Sequence, residues 1–258
     1  MKNNLKISIL LLVVVFVSSC NDMNDSINKF MKDGERLYMG VPDSVKTFAG
    51  KNRFLVLFIL NDTRVDTLAL YWNQKADSCL IPITSHSLDS VYKVVIGADA
   101  FPEGNAVLQF VSKSKGKYKS MTVEKSVNVY GNRYQAKLVS RYFNNAASNK
   151  YLKSPEDALV LSFGSATNSS DVGVKVRYFS KIFGAEKDTL ISSLSINKAL
   201  AAAKNINSSA LYGYIKIPYV DYDKITKPVT YKTMYLPEPT AIDTFYTKSD
   251  TIKTIIIQ

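Results

Sequence analysis

Two neighbouring stretches, Arg53-Phe54-Leu55-Val56-Leu57-Phe58-Ile59-Leu60 and Leu68-Ala69-Leu70-Tyr71-Trp72, decide the fold class. The first is a continuous apolar run and fits a strand buried on both faces. In the second, Leu68, Leu70 and Trp72 alternate with Ala69 and Tyr71, the period of two that a half-buried strand requires. Working outward, Val45 to Phe48 precedes the turn residues Gly50-Lys51-Asn52. Further strand-like runs follow at Ser78 to Ile83, Val91 to Ile96, Ala106 to Val111 and Thr122 to Val129. Short strands at this spacing, separated by Gly, Pro, Asn and Asp, predict a β-sandwich with Trp72 as its core anchor. The basic run Lys113-Ser114-Lys115-Gly116-Lys117 reads as a hairpin tip, or as a loop for phosphate or glycan.

A junction is predicted at Tyr130-Gly131-Asn132-Arg133, and a second strand-rich region begins near Leu159. Its runs are Leu159 to Phe163, Val172 to Phe179, Asp188 to Ser192, Leu211 to Ile217 and Val229 to Leu236. Ile196 to Lys204, rich in alanine, predicts a short helical insertion. The expected class is therefore all-β, with two tandem β-sandwich modules. The boundaries are 43–132 for the first module, 133–240 for the second, and 241–258 for a final strand or tail.

The N-terminus gives an address. Lys2 and Lys6 precede an apolar run, Ile7 to Val17, that is shorter than the roughly 20 residues a spanning helix needs. A charged start, short apolar core and small residues read as a secretory signal over 1–19. Val17-Ser18-Ser19-Cys20 resembles the lipobox of bacterial lipoproteins. That resemblance implies that Cys20 becomes the mature N-terminus and carries the acyl chains; the alternative is an ordinary signal ending in a chance cysteine. Several chains together make a stable anchor where one binds only reversibly. Residues 20–42 then form a polar tether in which Asp25 or Ser26 caps a brief helix presenting Ile27, Phe30 and Met31.

Composition narrows the chemistry. Without the signal the formal charge is +9, that is +11 less Lys2 and Lys6. An exported chain of this charge meets anionic headgroups or acidic glycans rather than nucleic acid, or simply uses its lysines for solubility and to protect strand edges. Cys79 is the one cysteine besides Cys20 and His86 the one histidine. Zinc sites of the usual type, Ser-His-Asp triads and Cys-His dyads are thereby disfavoured. Asp221 and Asp223 offer oxygens for calcium without a complete loop motif, so neither a metal nor a cofactor is expected.

Several phrases together resemble the Bacteroidetes lipoproteins that carry domain of unknown function 4998. They are Asn24-Asp25, Gly34-Glu35, Tyr38, Gly40, Asp43-Ser44, Gly50-Lys51-Asn52-Arg53, Tyr71-Trp72-Asn73, Asp77-Ser78 and Pro102-Glu103-Gly104. Val129 to Gln135, Tyr231-Lys232-Thr233, Tyr235-Leu236-Pro237 and Ala241 to Tyr246 complete them. The resemblance implies a fibronectin type III-like first module, an outer-membrane setting beside polysaccharide-utilisation systems, and no catalytic residues. One departure is Asn105-Ala106-Val107-Leu108, where an aromatic residue is expected in the strand after Gly104. A second resemblance, to O-glycosylated Asp-Ser/Thr-apolar triplets, falls on Ser26, Ser44, Thr67, Ser90, Thr189 and Thr251.

The functional expectation is a non-enzymatic, lipid-anchored binding module of the outer membrane, with the cell-surface face favoured over the periplasmic one and a polysaccharide as ligand. Sugar sites combine aromatic faces with a few polar groups. Tyr212, Tyr214, Tyr219, Tyr222, Tyr231 and Tyr235 are the candidate ligand contacts. The alternative is a structural or assembly partner of a neighbouring outer-membrane transporter complex. A glycoside hydrolase would need two carboxylates at a set separation. Asp89, Glu103, Asp157, Asp171, Asp221 and Asp223 contain no marked pair, so no enzyme is expected.

Overall fold

The structure is a computed structural model and describes residues 37–85, 90–97, 101–115, 118–143 and 149–258. Cys20, Ser26, the tether helix, His86 and Asp89 lie outside them.

The first module pairs strands β1 (Asp43–Ala49), β2 (Phe54–Ile59) and β5 (Val91–Ile96) in the order β1-β2-β5. Facing it are β4 (Asp77–Pro82), β3 (Thr67–Trp72) and β6 (Gly104–Ser114), with β7 (Tyr118–Lys119) and β8 (Val123–Val129) both paired to β6. All of these pairings are antiparallel. Because β4 pairs with β3, three strands face β4-β3-β6-β8; a constant-type immunoglobulin domain instead keeps four strands in the first sheet. The module is fibronectin type III-like.

Alternation explains the core. Phe54, Val56 and Phe58 point inward from β2 and meet Leu68 and Leu70 from β3 and Leu108 and Phe110 from β6, all fully buried. On the other face of β2, Leu55 is buried and Leu57 and Ile59 are half-buried, so the apolar run is covered more fully on one side. Trp72 is not at the centre. It is the last residue of β3 before the 3-10 turn Asn73–Lys75, and its half-buried ring leans on Phe101 at 5.2 Å. Cys79 is a free, half-buried thiol packed against this core.

The second module is also a sandwich. One sheet runs β13 (Gly213–Ile217), β10 (Ala158–Phe163), β9 (Lys150–Leu152), β17 (Ile256–Ile257). The other runs β12 (Ala185–Ser192), β11 (Asp171–Ser180), β14 (Thr230–Tyr235), β15 (Phe245–Tyr246), with β16 (Asp250–Thr251) also on β14. Residues 241–258 are therefore no loose tail: they supply β15, β16 and β17, the last lying parallel to β9. The expected helical insertion is present and longer, as α2 (Ser193–Ile206). The Ser192 hydroxyl caps it by accepting from the Ser195 N–H at 3.1 Å. It lies flat on β13 because Gly213 has no side chain: a Cβ there would sit 2.6 Å from the Leu200 nitrogen and 2.7 Å from the Ile196 carbonyl oxygen.

A polar and aromatic clamp joins the modules around helix α1 (Asn132–Ala136). The Asp243 carboxylate accepts from the Lys51 N–H at 2.8 Å and from Arg53 through Nε at 2.9 Å and a terminal nitrogen at 2.6 Å. Next to it, the Ile242 N–H donates to the Ala49 carbonyl at 2.8 Å. Glu103 accepts from the first N–H groups of α1, at Arg133 (2.8 Å) and Tyr134 (2.7 Å), where a helix leaves its donors unpaired. The Tyr130 hydroxyl donates to Glu238 at 2.9 Å, and Phe245 packs edge-on against Tyr134 at 5.1 Å. Gly50 permits this approach, since a Cβ would lie 2.7 Å from the Asp243 carboxylate and 2.8 Å from the Arg53 carbonyl oxygen.

Candidate functional site

The six tyrosines of the sequence reading divide by strand face. Tyr222, Tyr231 and Tyr235 are buried. Tyr222 packs on Tyr151 at 5.6 Å, Tyr231 on Phe143 at 5.2 Å, and the Tyr235 hydroxyl donates to the Val139 carbonyl at 2.6 Å. This corrects the expectation of one exposed cluster. Tyr231, Thr233 and Tyr235 all point inward from β14, so closeness in sequence does not put them on the surface. Tyr219 is exposed but separate, just beyond the end of β13 with φ of 59°.

Tyr212 and Tyr214 do share a surface. Tyr212 stacks on exposed Tyr142 with ring centroids 5.8 Å apart. Both lining tyrosines border a groove of 590 Å³ with Ala199, Ala203, Ile206 and Leu211 of the α2 region. Ile206 is 91% exposed and Leu211 70%, so this groove is apolar and open.

A different cleft has the mixed chemistry of a ligand site. It encloses 370 Å³ on the outer face of the β11–β14 sheet. Its floor carries Lys175 and Arg177 from β11 and Thr230 and Lys232 from β14; Tyr246, Ser249 and Gln135 form the walls. The register places Lys175 directly opposite Lys232, and Arg177 opposite Thr230 on one side and Asp188 on the other. Asp188 binds Arg177 at 2.8 Å and Lys175 at 2.7 Å. The Arg177 guanidinium, then Lys175, holds the Asp188 carboxyl down to about 2 despite partial burial. Lys175 also stands over the Tyr246 ring, 5.8 Å from its centroid. Gln135 is fixed from both sides: its oxygen accepts from the Lys51 ammonium at 2.9 Å and its nitrogen donates to the Tyr246 carbonyl at 3.0 Å.

Of the six candidate tyrosines Tyr231 lines this cleft, from β14 between Thr230 and Lys232; its other lining residues are not among the candidates. Its signal was the alternation Lys175-Val176-Arg177 facing Thr230-Tyr231-Lys232, which reads equally well as a solvated strand face. Tyr246 and Ser249 come from a region read as a strand or tail.

The carboxylates considered for catalysis hold structural posts. Asp171 pairs with buried Arg141, Asp157 with Lys181 at 2.6 Å, and Asp221 with Lys227. Asp223 accepts from the Ile225 and Thr226 N–H groups of its own turn, and Glu103 caps α1. Among the described residues no group of three or more His, Cys, Asp or Glu is placed to hold a metal ion, and no helix is long and apolar enough to cross a membrane.

A family model described as a domain of unknown function matches residues 20–245. No curated protein matches. Among solved structures, the chain is similar to the FN1–FN3 domains of chicken CNTN1, at 11% identity and a TM-score of 0.41, covering 86% of this chain and 69% of that one. It is also similar to part of a 1.5-MDa bacterial ice-binding adhesin, at 8% identity and a TM-score of 0.32, covering 83% of this chain and 64% of that one.

Proposed function

The chain belongs to the family of domain of unknown function 4998, and from that starting point we propose that it is a non-enzymatic, lipid-anchored binding module for a glycan of a polysaccharide-utilisation system. The observation that carries this reading is the cleft walled by Tyr246. It joins an aromatic face to Thr230, Ser249, Lys175 and Lys232, the mix of one apolar surface with a few convergent polar groups that orients a small ligand. Its 370 Å³ suits one or two sugar rings. The lipid on Cys20 would hold this face at the outer membrane, the cell-surface side favoured. The test is binding of the unlipidated Asp22–Gln258 chain to a panel of plant, host and microbial polysaccharides. Saturable binding to one class, lost in Tyr246→Ala, is the expected result; a clean negative across the panel refutes it.

The second reading, an assembly partner of a neighbouring outer-membrane complex, is favoured by the α2 groove. Exposed Ile206 and Leu211 with Ala199, Ala202 and Ala203 make it an apolar surface of the kind that proteins cover. Crosslinking on intact cells through residue 206 decides it: a single defined adduct supports docking there, and none refutes it.

A further inference from the structure

The charges of the Tyr246 cleft go beyond what a neutral sugar requires. Lys175 and Lys232 are directly opposed on adjacent antiparallel strands, an arrangement that destabilises a sheet when both residues carry the same charge. Arg177 stands two residues along the same face. The one carboxylate lining the cleft, Asp188, is already bound to Arg177 and Lys175 on the β12 side. Three cations line the cleft against Asp188, and Arg177 also pairs with Glu186 outside it at 3.8 Å, so a formal excess of +1 remains, carried by exposed Lys232, the cation farthest along the face from Asp188.

We propose that the cleft takes an acidic sugar, a uronate ring stacked on Tyr246 with its carboxylate on Lys232 and Lys175. This rests on the glycan reading above and names its ligand class. The ring face supplies the apolar contact, and Thr230 and Ser249 offer hydrogen bonds to sugar hydroxyls. Lys175 already pairs with Asp188, and the carboxylate supplies the counter-charge for Lys232, which forms no ion pair among the described residues. A charged group bound on this open face is partly screened, so affinity falls as salt rises.

The experiment compares polygalacturonate with its fully methyl-esterified form, which keeps the rings and removes the charge, using the unlipidated Asp22–Gln258 chain and its Lys232→Gln variant. A third arm uses vesicles rich in phosphatidylglycerol, to separate a sugar carboxylate from a lipid phosphate. The expected result is binding to polygalacturonate only, weakened about tenfold by Lys232→Gln and by raised salt. Equal binding of the acid and ester forms overturns the charge assignment while leaving the glycan reading intact. Binding to neutral polysaccharides alone overturns it in the same way. Lys232-dependent binding to vesicles without binding to polygalacturonate overturns it in favour of a headgroup. Since Lys232 is exposed, its replacement leaves folding untouched, and an unchanged circular dichroism spectrum verifies that.

Discussion

Replacing Arg141 by Met tests the second module at its most polar buried point. Arg141 and Asp171 have fully buried side chains, paired through Nε at 2.9 Å and a terminal nitrogen at 2.6 Å. The same guanidinium donates to Ser193 at the start of α2, and the Arg141 backbone N–H donates to Thr233 at 2.6 Å. One residue therefore ties the linker to β11, β14 and α2. Its other terminal nitrogen is buried without a partner among the described residues, so the site already bears a desolvation cost. Removing the guanidinium strands a buried carboxylate, which costs about 3–5 kcal/mol. Against a domain stability of about 5–15 kcal/mol that is a large share. With a urea slope of about 1.5 kcal/mol per molar, the midpoint falls by about 2–3 M. Far-UV circular dichroism follows both modules, whereas fluorescence of the single tryptophan, Trp72, reports the first module alone. Adding Asp171→Asn to Arg141→Met removes the stranded charge and keeps one acceptor oxygen, which serves the Thr167 or the Gly173 N–H group but not both, so it regains part of the loss. A single-variant midpoint shift below about 0.5 M, or a double variant no better than the single, would refute the reasoning.

The clamp should couple the unfolding of the two modules, and Asp243→Ala is expected to separate the fluorescence and dichroism transitions by removing the carboxylate that binds Lys51 and Arg53. Arg53, ahead of Lys51, holds the Asp243 carboxyl below its ordinary value of 3.8, so the clamp's contribution is complete above about pH 4 and is lost as pH falls through the lowered value. Urea unfolding of the unaltered chain at pH 3 and pH 6 checks this: a growing gap between the two transitions at the lower pH is expected. At the alkaline end, burial first, then Glu238 for Tyr130 and Asp250 for Tyr231, pushes both phenols up to about 12. Their neutral forms support the fold fully below pH 10, and that support is lost as pH rises through 12; absorbance at 295 nm shows this late-ionising fraction, which vanishes in urea. Gly213→Ala places a methyl against α2 backbone and costs about 1–3 kcal/mol, with α2 amides losing hydrogen-exchange protection before those of β10.

Periodicity made the strands legible. Phe54, Val56 and Phe58 alternate inward as an apolar run must, and the helix formers of 196–204 emerge as α2. What stayed hidden depends on contacts distant in sequence. Arg141 reads as one more basic residue near a junction, yet it is fully buried, because only the fold brings Asp171 to it. The tyrosine cluster failed for the opposite reason. Composition marks Tyr231 and Tyr235 as candidates, but their parity on β14 turns both rings toward the core; Tyr231 still borders the cleft, whose exposed cation is its neighbour Lys232. The fragments after Leu236 lack a period of two long enough to read, so β15 and the turn after it, which wall the cleft through Tyr246, Thr247 and Ser249, read only as a final strand or tail.

The phrases that carry the family resemblance are scattered along the sequence, yet four of them meet at one place. Gly50 to Arg53, Glu103, Tyr130 to Gln135 and Ile242 to Tyr246 together build the clamp. The clamp also shapes the cleft. Lys51, from the first module, binds Gln135; Gln135 in turn holds the backbone of Tyr246, whose ring stands beside Lys175. Two hydrogen bonds thus connect the first sandwich to the aromatic wall of a site lying on the second. Side chains locked by such supporting contacts hold a site to its geometry more tightly than a free loop can. A fibronectin-like module so placed is more than a spacer: it fixes the wall on which a sugar ring would stack. Loosening the clamp at Asp243 should therefore weaken ligand binding at Tyr246 as well as uncouple the modules, although Asp243 does not line the cleft.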